Sequence, residues 1–313
     1  SRRCLGPRRA SGPRPTVPSG RVAWTIDATR VAPENPRFGA RMLRNEGDRL
    51  TRVVVSSPGD AYFDVSTHAG ANIPAPADRA LAIRQHEELR AAMARFGCEV
   101  IDVPELPGHP NCVFTRDVAL CTPVGHVKLR MGLAARRDEE EWMSRALLAL
   151  GEPCIGAISE PGTVEGGDII LAGSVAFLGL SGRTNREGAR QIATLLEPLG
   201  YEVRTARIEG YMHIGGAMSV IGPERVLHCR DAFPDGFFRG FDAIAVPSDG
   251  ARTGNVICLG EDELIANAAE GAAVIEELRR RGLTVHGLDL SEFQKGAGGP
   301  TCLILPLERR PSN

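Results

Sequence analysis

Four residue types in this chain, far apart in sequence, add up to one kind of chemistry. A thiol sits near the C-terminus in Thr301-Cys302-Leu303, an imidazole in Met212-His213-Ile214, and carboxylates in Glu165-Gly166-Gly167-Asp168 and at the end of Asn111-Cys-Val-Phe-Thr-Arg116-Asp117. Carboxylates hold a planar cation through charge-assisted hydrogen bonds, a thiolate attacks its carbon, and an imidazole moves the protons. Each residue alone has an ordinary structural reading. A free cysteine is commonly a small buried hydrophobe, a lone histidine a satisfied one, and acids beside Gly-Gly commonly form a solvated turn. An acid such as Asp117, leading straight into an apolar run, needs a partner if it is buried, either Arg116 or a cationic ligand. The combination therefore carries the reading.

The surrounding pattern must bring these residues together. Helical periodicity runs through residues 78–96, 137–150, 186–199 and 263–281, as in Leu81, His86, Leu89, Met93 and Phe96. Each stretch stops at a glycine: Gly97, Gly151, Gly200 and Gly282. Strand-like runs follow at once, and Gly240, after a short helical turn, opens a fifth junction before Phe241–Val246. The glycines are spaced by 54, 49, 40 and 42 residues, and such near-regular spacing marks repeated supersecondary units. Five units with two or three strands and one helix each predict a closed ring with pseudo-fivefold symmetry. Asp117, Glu165, His213 and Cys302 would then meet near its axis, one from each of four units. The alternative is a doubly wound α/β sheet.

Composition excludes several classes. The chain has 313 residues, 42% hydrophobic and 24% charged, with a net charge of −2, so neither nucleic acid nor an anionic membrane is expected as a partner. No apolar run reaches the ~20 residues of a membrane span. Residues 1–21 carry six arginines and no acid and read as a disordered basic leader; residues 22–313 read as a single catalytic domain. Eight scattered cysteines without a CxxC pair exclude the usual zinc spacing and suit free thiols in a reducing cytoplasm.

Together the motifs resemble the guanidine-modifying superfamily of arginine deiminases, dimethylarginine dimethylaminohydrolases and amidinotransferases. The order Asp, Glu-Gly-Gly-Asp, His, Cys matches over roughly residues 50–307. The resemblance implies a five-bladed pseudo-symmetric α/β propeller (pentein), a small guanidino substrate, and no cofactor or metal; a homodimer is left open. It implies Cys302 as nucleophile, His213 as acid/base and Glu165 as the carboxylate that orients the guanidinium. It further implies Asp117 as the second guanidinium-binding acid, with Asp168, Asn111 and Arg116 also at the substrate and Arg130 and Arg183 on an α-carboxylate.

Two departures pull in opposite directions. Asn111-x-x-Phe-Thr-Arg-Asp117 is the deiminase form of that motif, whereas Gly215 stands where deiminases carry an Asp. The Thr-Cys-Leu ending and Asp289–Phe293 favour the dimethylaminohydrolases. A covalent thiouronium on Cys302, hydrolysed to citrulline and an amine, is the implied course. The alternatives are arginine deimination, amidino transfer, an inactive ligand-sensing paralogue, and a propeller of the ribosome anti-association type.

Overall fold

A computed structural model describes residues 43–247 and 252–311. Contacts divide the chain into Ser1–Gly39 and Ala40–Asn313; all described residues belong to the second unit, and the expected leader, residues 1–21, lies outside them.

Among the described residues fifteen strands form five three-stranded sheets. The chain enters through β1 (Arg49–Val55), crosses by the helix Arg79–Arg95 and returns as β2 (Glu99–Asp102), parallel to β1. The next unit has β3 (Ala119–Thr122), β4 (Gly125–Lys128), the helix Glu139–Ala149 and β5 (Cys154–Ala157). It is followed by β6 (Ile169–Ala172), β7 (Val175–Leu180), the helix Arg186–Leu196 and β8 (Glu202–Arg207). Then come β9 (Met218–Gly222), β10 (Arg225–Cys229) and β11 (Asp242–Val246), and β12 (Val256–Gly260), β13 (Glu263–Asn267), the helix Ala268–Arg280 and β14 (Thr284–Leu288). Finally β15 (Leu305–Arg310) pairs antiparallel with β1 and completes the first sheet.

Every sheet has one antiparallel and one parallel crossover pair; the antiparallel pair is a hairpin in four sheets and β1 with β15 in the first. Burial orders the strands radially. β3, β6, β9 and β12 are buried along their whole length, and β15 is buried up to Arg310. The outer strands β2 and β5 expose their end residues. This is the five-bladed pseudo-symmetric α/β propeller predicted above, and the doubly wound sheet is excluded.

The junction glycines do what the pattern requires. Gly97, Gly151, Gly200, Gly240 and Gly282 take φ of 91°, 79°, 85°, 91° and 89°, where a Cβ would cost energy. The helix Arg79–Arg95 buries Ala82, Leu89 and Met93 against β1; truncating such a Leu or Met to Ala costs about 2–5 kcal/mol.

Two expectations need correction. Residues 263–267 are strand β13, not the start of a helix, because they pair with both β12 and β14 and bury Leu264, Ile265 and Ala266. The helix begins only after Asn267, whose side chain accepts from the Ala269 amide. The helical turn expected before β11 is a run of turns packed by aromatic rings. Phe233 stacks on Phe237 at 5.3 Å, and both Phe237 and Phe238 close on the fully buried Phe177.

Candidate active site

The approach to each buried inner strand is a tight turn, and these turns carry the polar residues. Asp117 ends the 3-10 turn before β3, and Glu165 caps Gly166–Asp168 before β6. His213 caps the short helix Ile214–Ala217 before β9, and Cys302 lies in Pro300–Leu303 before β15. The fifth equivalent place, before β12, holds Asn255.

Backbone must come unusually close for these turns to converge. A Cβ on Gly167 would lie 2.6 Å from His213 Nδ1 and 2.8 Å from Asp117 Oδ1. One on Gly298 would lie 2.2 Å from the Phe114 ring. Both positions therefore require glycine.

His213 is the hub. Its Nε2 lies 2.8 Å from Glu165 Oε2, and its Nδ1 faces Asp117 Oδ1 at 3.7 Å. Burial opposes charge on the ring, but Asp117, Asp168 and Glu165 outweigh it and push the pKa up to about 9. Burial likewise penalises the Glu165 carboxylate, yet the His213 hydrogen bond and the charges of His213, Arg136 and Arg183 bring it down to about 2. The remaining Glu165 oxygen accepts from the Gly132 and Leu133 amides at 3.0 and 3.2 Å. Glu165 is fully buried and is not among the residues lining the cavity; it contacts His213, Arg183 and the Gly132 and Leu133 amides.

Asp117 is different. Its Oδ2 accepts from Arg136 at 2.5 Å, whereas its Oδ1 is buried without a hydrogen-bond partner. Asp117 lines a small cavity of about 20 Å³, whose walls also include Asn111, Phe114, Arg136, Arg183, His213 and Cys302. An unpaired buried carboxylate oxygen is costly unless a donor reaches it. Burial raises the Cys302 thiol pKa, Asp117 raises it further, and Arg252 and Arg116 oppose the rise.

The other expected residues divide. Arg183 lines the cavity, with Nη1 3.5 Å from Glu165 Oε1. Asn111 also lines it and donates to the Ala71 carbonyl at 2.7 Å. Asp168 is buried behind His213, accepting from Ser181 Oγ at 2.6 Å and the Ile214 amide at 2.9 Å. Arg130 points elsewhere, to Glu160 and the Gly162 carbonyl, and does not line the cavity.

Arg116 corrects the expectation of a substrate contact. Its guanidinium is buried in a two-pronged pair with Glu46 at 2.9 and 2.7 Å, and it also donates to the Gly166 and Ile169 carbonyls. Every donor nitrogen is spent inside the protein.

The sequence reading missed two residues. Arg136 holds Asp117, Glu139 and the carbonyls of Asn111 and Phe114; burial opposes its charge, and Glu139, Asp117 and Glu165 more than restore it. Nothing in Ala134-Ala-Arg-Arg-Asp138 distinguishes it from a charged helix entry. Asn255 donates to the Gly215 carbonyl at 2.7 Å and accepts from the Thr301 amide at 2.9 Å, fixing the turn that carries Cys302. Superimposing the five repeats would have found it.

Asp117, Glu165 and His213 also offer ligand atoms within 4.8 Å of one another. With His213 charged at neutral pH, this trio suits an organic cation better than a metal ion, which needs the neutral imidazole. Among the described residues no helix is long and apolar enough to cross a membrane.

Known proteins agree with this geometry. A family model described as N,N dimethylarginine dimethylhydrolase, eukaryotic, matches residues 64–308. The N(G),N(G)-dimethylarginine dimethylaminohydrolase of Pseudomonas aeruginosa is 28% identical over 253 residues, covering 81% of this chain and 98% of the relative. That of Streptomyces coelicolor is 29% identical over 234 residues, covering 74% and 87%. A solved Pseudomonas aeruginosa structure, a Cys-to-Ser mutant complexed with citrulline, superimposes with a TM-score of 0.73 at 27% identity, covering 82% of this chain and 99% of that one. The N-terminal domain of ArgZ shares the fold, with a TM-score of 0.72 at 21% identity, covering 82% of this chain and 98% of that one. The chain belongs to the dimethylarginine dimethylhydrolase family, hydrolases of guanidino C–N bonds.

Proposed function

We propose that this enzyme hydrolyses Nη-substituted arginines to citrulline and an amine through a covalent intermediate on Cys302. The observation that carries this reading is the buried, unpaired Asp117 Oδ1 in a cavity shared with His213 and Cys302. A guanidinium N–H is the donor that this oxygen lacks, and Arg183 on the same wall suits the carboxylate at the substrate's other end.

Binding of the cation neutralises Asp117, one of the two causes holding the thiol protonated, so the thiol releases its proton to solvent on binding, His213 already being protonated. The sulfur–carbon bond then forms, giving a tetrahedral adduct. The Nδ1–H of His213 passes its proton to the departing nitrogen, the carbon–nitrogen bond breaks and the amine leaves. The now neutral His213 takes a proton from water, the oxygen bonds to the same carbon, and the carbon–sulfur bond breaks to release citrulline. Glu165 keeps the imidazole oriented throughout.

Gly215 supports a substituted nitrogen. A side chain there would place its Cβ 3.0 Å from the Gly167 carbonyl, so an acid competing for an unsubstituted nitrogen does not fit without backbone movement. The competing reading, deimination of free arginine, is favoured by Asn111-x-x-Phe-Thr-Arg-Asp117 and by a Listeria welshimeri arginine deiminase that is 25% identical over 256 residues. Product analysis on arginine, monomethylarginine and asymmetric dimethylarginine separates the two. Citrulline with dimethylamine, and little from arginine, is the expected result. Ammonia from plain arginine would select the deiminase reading, and no citrulline from any of the three would overturn both.

A further inference from the structure

A second chamber, of about 220 Å³, opens beside the first cavity. The two meet at Met212, His213, Ala297 and Cys302, the residues around the reacting carbon. Asn111, Arg136 and Arg183 line only the first cavity; Tyr211, Gly215, Gly216 and Arg252 line only the second. If the amino-acid end of the substrate lies in the first, the nitrogen that departs points toward the second.

The polar character of this second chamber differs from that of the first. Its walls include Arg116, His213 and Arg252, and among the described residues lining it there is no carboxylate. Arg116 is committed to Glu46. Arg252 is committed only in part: Nη2 donates to Glu270 at 2.7 Å, whereas Nε is buried without a partner. A guanidinium Nε–H shielded from water beside a space lined by no described carboxylate asks for an acceptor. Two methyl groups supply none, and they leave most of this volume unfilled.

Resting on the proposed hydrolysis, we propose that this chamber receives a substituent ending in a hydrogen-bond acceptor, with Arg252 as its recognition residue. The preferred substrate class is then an arginine carrying an Nη-carboxyalkyl group rather than Nη-methyl groups. The reaction balances as before. Cys302 bonds to the guanidinium carbon, the bond to the substituted nitrogen breaks, and that nitrogen takes the His213 proton and leaves as an amino acid. Water then releases citrulline, so Nη-carboxymethylarginine gives citrulline and glycine in equal amounts.

The test compares kcat/KM for Nη-carboxymethylarginine, asymmetric dimethylarginine and arginine, using the full chain and quantifying citrulline, glycine and dimethylamine. The wild type is expected to favour the carboxymethyl substrate about tenfold or more, the value of one charge-assisted hydrogen bond. Arg252→Met should reduce the ratio of carboxymethyl to dimethyl turnover by about the same factor, whatever the absolute rates, and Arg252→Lys should restore part of it. Turnover of dimethylarginine or arginine without a carboxymethyl preference in the wild type would overturn this inference alone. An unchanged ratio in Arg252→Met would do the same. Absence of citrulline from every guanidine would remove the underlying hydrolysis as well.

Discussion

Two buried ionic clusters lie side by side in this molecule, and the proposed chemistry uses only one of them. Each nitrogen of Arg116 is answered: Glu46 takes two of them, the Gly166 and Ile169 carbonyls take more, and Glu46 in turn receives the Leu171 amide. Of the three acids around His213, Asp117 alone keeps an unanswered oxygen, its Oδ1. Adjacent residues in one short motif thus have opposite fates. A fully satisfied cluster holds strands together; a cluster with one open acceptor beside a thiol holds a ligand. Burial and charge alone do not separate the two cases, whereas the hydrogen-bond accounting does.

The sharpest way to test that division is to remove the thiol. Cys302→Ser should lose activity by a factor on the order of 10⁴ or more while its thermal midpoint stays at the wild-type value, read by product formation and calorimetry on the same sample. Arg116→Leu should do the reverse in kind. It strands Glu46 in the core and should cost about 3–5 kcal/mol of stability in urea titration, and wild-type stability would show that the satisfied cluster is not structural. Asp117→Asn comes next. It keeps the shape but weakens the grip on the cation, so kcat/KM should fall roughly 10²-fold with little change in urea midpoint. A large loss of stability instead would place Asp117 with Arg116. Asn255→Ala is expected to cost about tenfold in kcat, because it loosens the Thr301 turn without touching substrate; a change confined to KM would count against a positioning role.

The mildest effect is on pH. His213 is raised in the fold from an ordinary value near 6.5 to about 9, so its stabilising contribution is complete below about 6.5 and is lost as pH rises through about 9. Glu165 is depressed from 4.5 to about 2, so its contribution is complete above 4.5 and is lost as pH falls through about 2. Stability should therefore peak between these windows, near pH 4.5–6.5, and His213→Gln should flatten the alkaline side of the curve. An unaltered alkaline limb in that variant would reassign the effect to another group.

Much of the architecture was legible because it repeats. One helix-ending glycine per unit marks each blade, and four of the five turns before inner strands hold a residue of recognisable chemistry. The missed elements are those where local pattern and tertiary role part company. Glu263–Asn267 continues the alanine-rich helical pattern that follows it, and only pairing with two neighbours makes it a strand. Arg136 lies in a charged stretch that looks like any helix entry, yet it is the counter-ion of Asp117. Arg130 and Arg183 look alike in sequence; one pairs with Glu160 outside the cavity and the other lines it. Side-chain direction at the end of a turn is set by what the next blade presents, and no linear pattern encodes that.

The strand that completes the first sheet has a temporal consequence. β15 pairs with β1 across nearly the whole sequence, and Cys302 lies in the turn just before it. During synthesis, Asp117, Glu165 and His213 leave the ribosome long before the thiol does. On the proposed mechanism the half-built chain therefore lacks its nucleophile, and the thiol joins the other three residues only as β15 pairs with β1.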